Sequence, residues 1–416
     1  MNLHRTALFV FLLGTFALAL ANEPNTEETK QEDPLTLLIA ASHHEMTRSD
    51  EGYAGPGAAL LLGEAERSLF FLIGESHGNV ETPAMTAWLL KATRPLGYST
   101  LTVEVGPIVA EQMKTLAGQP DAMAAFQAFH DKWPFTIPFF FWKEEVTMWL
   151  EAYAMGYDLW GLDQEFIGSG RFLLHELDGL VEDPELRPKI GMWRKMATEG
   201  FQVFATTGES DRGFLSVIDP EELKAFGEKL PAEPQAARRI VDELRRTAIV
   251  YQHYQNERYF LNNRDRVRLM KRHLAAYIDE AGGLDAVPRT LFKFGSVHMG
   301  RGYSPMYQLD LGNAAAELAA ARGSESFHVN VSTLSSVGAD GERKDWTEES
   351  PELALFGRHM TEGQWGVFDL RGLRPYFTSD RRRQAQPELA DLVFRFDVLA
   401  VAPEFHAATP MLDMPF

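Results

Sequence analysis

Short apolar runs that stop on a polar residue recur along this chain of 416 residues, and they restrict its fold more than any other feature. Candidate strands fall at 59–62, 69–73, 100–105, 158–162, 290–294, 327–331, 366–370 and 398–401. They are rich in Val, Leu, Ile and Phe and are bounded by Gly, Pro or Asp. Helical patterns separate them, at 83–93, 108–116, 144–155 and 314–321. A strand that is apolar at nearly every position is buried on both faces, as in a parallel sheet covered by helices. The prediction is an α/β core with a mainly parallel sheet flanked by helices.

One stretch breaks the alternation. Residues 168–278 hold no convincing strand pattern, and segments such as "EPQAARRIVDELRRTAIVYQHYQNERYFLNNRDRVRLM" are helical in character. They are expected to form a helical cap inserted between two parts of the core, 35–167 and 279–416. At the other end, "TALFVFLLGTFALAL" follows Arg5 and leads to Ala19-Leu20-Ala21. A basic start, an apolar centre and an A-x-A site predict a signal peptide over 1–21. The apolar run is short for a membrane span. The mature protein is therefore expected to be exported, periplasmic or secreted, with no stable membrane anchor. Residues 22–34, "NEPNTEETKQEDP", are expected to be a disordered acidic lead-in.

The formal charge is −19, and loss of Arg5 with the signal peptide would make it −20. So acidic a protein is a poor match for nucleic acid or anionic lipid. A small-molecule substrate fits better. The chain has no cysteine, which excludes disulfides, thiolate metal sites and cysteine nucleophiles. A divalent metal would have to be held by histidines and carboxylates.

The run at 69–73 ends in Gly74-Glu75-Ser76-His77-Gly78, which can be read in two ways. As G-x-S-x-G it is a nucleophile elbow with Ser76 attacking, and Asp369 and His406 follow in the required order. Against this, only a short hairpin, 59–73, precedes it, and no oxyanion-type HG stretch lies upstream. As G-x-x-H, the working residue is His77, with Glu75 beside it. Other polar residues also close apolar runs: Glu104, Asp163, Glu165 and His298, with Arg301 close behind. In a parallel sheet these ends gather along one edge, where ligands bind. An imidazole that titrates near neutrality can deprotonate water there. Glu104 would orient it, and His298 would serve as second base, oxyanion stabiliser or metal ligand. The aromatic run "WPFTIPFFFW", with Trp133 and Trp142, suggests an apolar wall for a bulky substrate. Asp163, Glu165 and Arg301 are the further candidates for substrate binding.

The order of "GESHG", "VEVG", "GLD", "NNRDRVRLM" and "FGSVHMGRG", over roughly residues 62–313, resembles the erythromycin esterase superfamily. That group also takes in ChaN-like haem-binding proteins and TIKI-type metalloproteases. The resemblance implies a hydrolase in which His77 activates water to open an ester or lactone. It places Glu104 and His298 in the site and matches an Arg-Asp pair of the cap to Arg264 and Asp265. Glu75 and His77 are separated by one residue where the esterase pattern has two, a spacing nearer the ChaN and TIKI patterns. Two variants follow from this: His77, Glu104 and His298 as metal ligands, or a non-catalytic haem- or metal-binding protein. Arg264 is expected to point down at Glu75 and Glu104, balancing their charge.

Overall fold

A computed structural model describes residues 33–412. The expected signal peptide and all of the acidic lead-in except Asp33 and Pro34 lie outside the described residues. Those two open the first helix, Pro34–Ser42, with Asp33 as its cap. No helix among the described residues is long and apolar enough to cross a membrane.

In chain order the strands are β1 His43–Ser49, β2 Gly52–Ala54, β3 Ser68–Glu75, β4 Tyr98–Val103, β5 Asp158–Gly161 and β6 Arg289–Gly295. Then come β7 Glu325–Thr333, β8 Ser335–Val337, β9 Arg343–Asp345, β10 Trp365–Asp369, β11 Val398–Ala402 and β12 Phe405–His406. Nine of them form one sheet in the order β2-β1-β10-β11-β7-β3-β6-β4-β5, and β12-β8-β9 form a second. In the large sheet the six strands from β11 to β5 run parallel, and antiparallel pairings are confined to the β2-β1-β10-β11 side. The expected α/β architecture, a mainly parallel sheet flanked by helices, is the one the chain adopts.

The reason is visible in β3, where every residue is buried. Phe71 and Ile73 face one apolar layer, with Leu101 and Val103. Phe70 and Leu72 face the other, with Phe292 and Phe294. The period-2 geometry of a strand splits one continuous apolar run between two helical layers.

Residues 59–62 do not form a strand. They lie in the helix Pro56–Arg67, which begins with Pro56 in its first turn. Four apolar residues fit either element, and the Gly-Pro start decides for helix. His43-His44-Glu45 opens β1, which pairs with β10. Between β5 and β6 the described residues form helices only, the longest being Arg187–Thr207, Ala236–Gln255 and Tyr259–Glu280.

Candidate active site

Register brings the strand ends level. Glu75 pairs with Gly295 across β3 and β6, and Val103 pairs with Lys293 across β4 and β6. Glu104 lies one residue beyond β4. Asp163, just past β5, is fixed by its amide, which donates to the Val105 carbonyl at 2.9 Å. Glu75, Glu104, Asp163 and His298 are each 5% exposed or less.

His77 stands between two of these carboxylates. Its Nδ1 is 3.0 Å from Glu75 Oε1, and its Nε2 is 3.3 Å from Glu104 Oε2. Phe139 stacks on the ring with centroids 3.8 Å apart. Phe139 holds φ at +64°, a conformation uncommon outside glycine, so the stack is set by a constrained backbone. Burial pushes the imidazole pKa down, but Glu75 and Glu104 outweigh it and raise the value to about 10. The aromatic face favours the charged ring too. The expectation of an imidazole titrating near neutrality is therefore corrected: two carboxylates hold it as an imidazolium.

The carboxylates have their own cations. Lys293 Nζ donates to Glu75 Oε1 at 2.5 Å and to Glu145 Oε1 at 2.6 Å. Burial alone would raise the pKa of Glu75, but Lys293 and His77 bring it below the ordinary value. Burial raises Glu145 to about 7, with Lys293 opposing and Glu75 adding to the rise. Glu104 accepts from the Gly295 amide at 2.7 Å and from Arg266 at 2.8 Å. Burial works against its ionisation, yet His298, His77 and Arg266 hold it well below the usual carboxylate range. Arg266 also bonds both oxygens of Asp163, at 2.9 and 2.6 Å. His298 Nδ1 is 3.0 Å from Asp310 Oδ2, and its Nε2 is 3.5 Å from Glu104 Oε1.

Gly295 keeps this place open, since a Cβ there would lie 3.1 Å from His77 Nε2 and 3.4 Å from Glu104 Oε2. His77 reaches a cavity of about 510 Å³ that is also lined by Ser76, Asn79, Ser336, Trp346 and His406. The cavity walls come largely from β7, β8, β12 and their loops; the sequence reading had the run at 327–331 and His406, but neither as part of this wall.

Several expected site residues are placed elsewhere. Arg264 bonds Asp265, its own neighbour in sequence, at 2.9 Å. It makes no contact with Glu75 or Glu104, and Arg266, two residues on, takes that position. On a helix two residues are about 200° apart, so only one of the pair can face the sheet. Asp163 binds Arg266 and does not line the cavity. Glu165 is fully buried and accepts from the Ile108 amide at 3.0 Å, at the start of the helix Pro107–Ala117. Arg301 bonds Asp397 and the Ser326 carbonyl, in a different group. Trp133 packs on Phe172 and His175, between Lys132 and Arg171. Trp142 lies against Gly78, whose φ is +83°. None of these six expected residues lines the cavity.

Ser76 is exposed and outside the group of residues with positive φ, so it lacks the strained turn of a nucleophile elbow. Its expected partners are not joined. Asp369 binds Arg371, and His406 Nδ1 lies 2.8 Å from Glu81 Oε1. The donor set does not fit a metal ion or haem iron either. Both nitrogens of His77 and of His298 face carboxylates, and Glu75 and Glu104 are already engaged by Lys293 and Arg266. Among the described residues no three His, Asp or Glu side chains are arranged to hold a cation.

Arg266, Lys293, Glu145 and Asp310 were missed from sequence. Only Lys293 left a signal, as one cation inside the apolar strand "TLFKFG".

No family model and no curated protein matches the chain. Solved structures do. A mutant of the erythromycin esterase EreC in its open conformation aligns with a TM-score of 0.58 at 13% identity, over 86% of this chain and 95% of that one. A structural-genomics protein from Bacillus cereus aligns at 0.56 and 13%, over 91% and 99%. A succinoglycan biosynthesis protein aligns at 0.54 and 12%, over 90% and 97%. At such identity the likeness is one of fold, and the chain shares the erythromycin esterase architecture along most of its length.

Proposed function

We propose that the protein is an exported hydrolase that cleaves an ester or lactone of a small molecule with water activated by His77. One observation carries the reading: the imidazole lies between Glu75 and Glu104 and opens on a cavity. The longer contact, 3.3 Å to Glu104, is the side that admits water. The neutral ring keeps Nδ1–H on Glu75 and offers Nε2 to a water that also donates to Glu104. The water oxygen attacks the carbonyl carbon and its proton passes to Nε2. His298, whose Nε2 lies 3.5 Å from Glu104 Oε1, steadies the carboxylate that orients the water. The carbon–oxygen bond to the leaving alcohol then breaks, and the imidazolium returns the proton to that oxygen. The esterase-like fold supports this reading as analogy only.

The test is hydrolysis of activated esters and lactones by the purified protein. Ser76→Ala should keep most activity, while His77→Ala loses about 10²-fold or more. Labelling of Ser76 by a fluorophosphonate would reverse the choice between them.

A further inference from the structure

The cavity at His77 does not end there. A second cavity, of about 640 Å³, shares Ser332, Ser350 and Leu353 with it. Each falls in the range of 300–1,000 Å³ that holds one drug-sized ligand. A molecule filling both is therefore longer than that.

The second cavity carries two bare aromatic rings. Tyr303 is 67% exposed and Tyr307 is 77% exposed. Tyr307 has φ of +56°, a conformation that residues other than glycine rarely adopt. Their loop is fastened at both ends to the site, because His298 precedes it, Asp310 closes it, and the two side chains are in contact at 3.0 Å. The tyrosines thus sit on a loop that this pair closes.

Beside the apolar Pro305, Leu353, Pro387, Leu392 and Phe396, the polar lining is mostly hydroxyl and acid. Ser304, only 4% exposed, lines the cavity, and its hydroxyl has no partner among the described residues. Arg395 is 7% exposed, and its Nε is likewise without a partner among the described residues. It is the cavity's one cation, and its Nη1 is 3.4 Å from Asp391 Oδ2. Glu352 and Glu388 also line the wall and form no ion pair among the described residues. The balance is negative, which disfavours an anionic ligand. Exposed rings stack on the C–H faces of sugars, and hydroxyls and carboxylates accept from sugar O–H groups.

We propose that the two cavities form one cleft for an uncharged, O-acylated oligosaccharide, with the acyl ester at His77 and the sugar chain running to Tyr303 and Tyr307. This rests on the hydrolase reading and names its substrate class. Water adds to the acyl carbon, the bond from that carbon to the sugar oxygen breaks, and the sugar oxygen takes the proton. The products are a carboxylic acid and the free sugar hydroxyl.

Two measurements on the full chain test it. In the first, kcat/KM is compared between O-acetylated neutral monosaccharides and hexasaccharides, in α- and β-linked series. The hexasaccharide should be favoured about tenfold or more in one series. The Tyr303→Ala/Tyr307→Ala double variant should bring that ratio near one. A wild-type ratio near one in both series, or one unchanged in the variant, overturns the proposal. In the second, unacetylated hexasaccharides are titrated calorimetrically. Saturable binding, weakened about tenfold in the double variant, supports the cleft even where no ester is turned over, and that combination would sink the hydrolase reading alone. Turnover of all lengths at one rate, without binding, would sink the cleft and leave the hydrolase standing. A uronate hexasaccharide that binds as tightly as a neutral one overturns the charge argument.

Discussion

The guanidinium of Arg266, on the helix Tyr259–Glu280, donates to Glu104 Oε1 at 2.8 Å across 162 positions of sequence. It ties the helical segment to the end of β4. Removing one partner of a buried ion group leaves the others without compensation and costs about 3–5 kcal/mol. Arg266→Ala should therefore lower stability by that order and reduce hydrolysis as well. Arg264→Ala should leave both close to wild type, because its side chain is 34% exposed and bound to a neighbour. Denaturant unfolding with ester assays checks the pair. A larger effect at Arg264 would contradict this geometry.

The protonation of His77 predicts an alkaline optimum. Its pKa is raised from 6.5 to about 10, so the basic form is a minor species at neutrality. If the neutral ring is the base, kcat/KM should climb with pH and level off near 10. Glu75→Gln removes one of the two negative charges and should shift the limb toward neutrality. A wild-type profile with its limb at 6.5 would show that the carboxylates do not govern the ring.

Lys293 lies 3% exposed between Glu75 and Glu145. Lys293→Met should cost about 3–5 kcal/mol, since two carboxylates lose their shared cation. Adding Glu145→Leu should recover part of that loss, because one of the uncompensated groups goes with it. A double-mutant cycle by chemical denaturation measures the coupling. Strict additivity would mean that the contact between Lys293 and Glu145 carries no energy.

Glu165 predicts how stability changes with pH. Its pKa is raised from 4.5 to about 8, mainly by burial and then by Glu243. Between these values the folded state holds a proton that the unfolded state has lost, so stability falls as pH rises. The contribution is complete below 4.5 and gone above about 8. Glu165→Gln keeps the neutral form and should flatten that part of the profile. A variant whose unfolding free energy keeps the wild-type slope between those values would place the titration elsewhere.

The strand ends were legible because each apolar run stops on a residue that burial alone would penalise. Glu75, Glu104, Asp163 and His298 could be found in that way, and parallel register brings them together. β1 was not, because "HHEMTRS" is an outer strand with half its length exposed, which erases the apolar pattern. Arg266 escaped because helical phase over "NNRDRVR" is not fixed by so polar a stretch. The cavity walls escaped for another reason. Ser336 and Trp346 come from short segments without periodicity, gathered by the second sheet, and His406 was read only as a triad partner of Ser76.

β3 lies inside the parallel part of the sheet, yet its neighbours are β6 and β7, and Lys293 meets Glu75 over 218 positions of sequence. Contacts of such span close late, after the chain entropy of the whole intervening loop has been lost. During synthesis the GESHG turn leaves the ribosome long before its partners exist. Until β6 is in place, His77 has neither Gly295 beside it nor the fixed carboxylates that hold its proton. A chain cut or stalled before residue 289 therefore contains the first motif in a chemically ordinary state, and the carboxylate frame around His77 arrives only with β6.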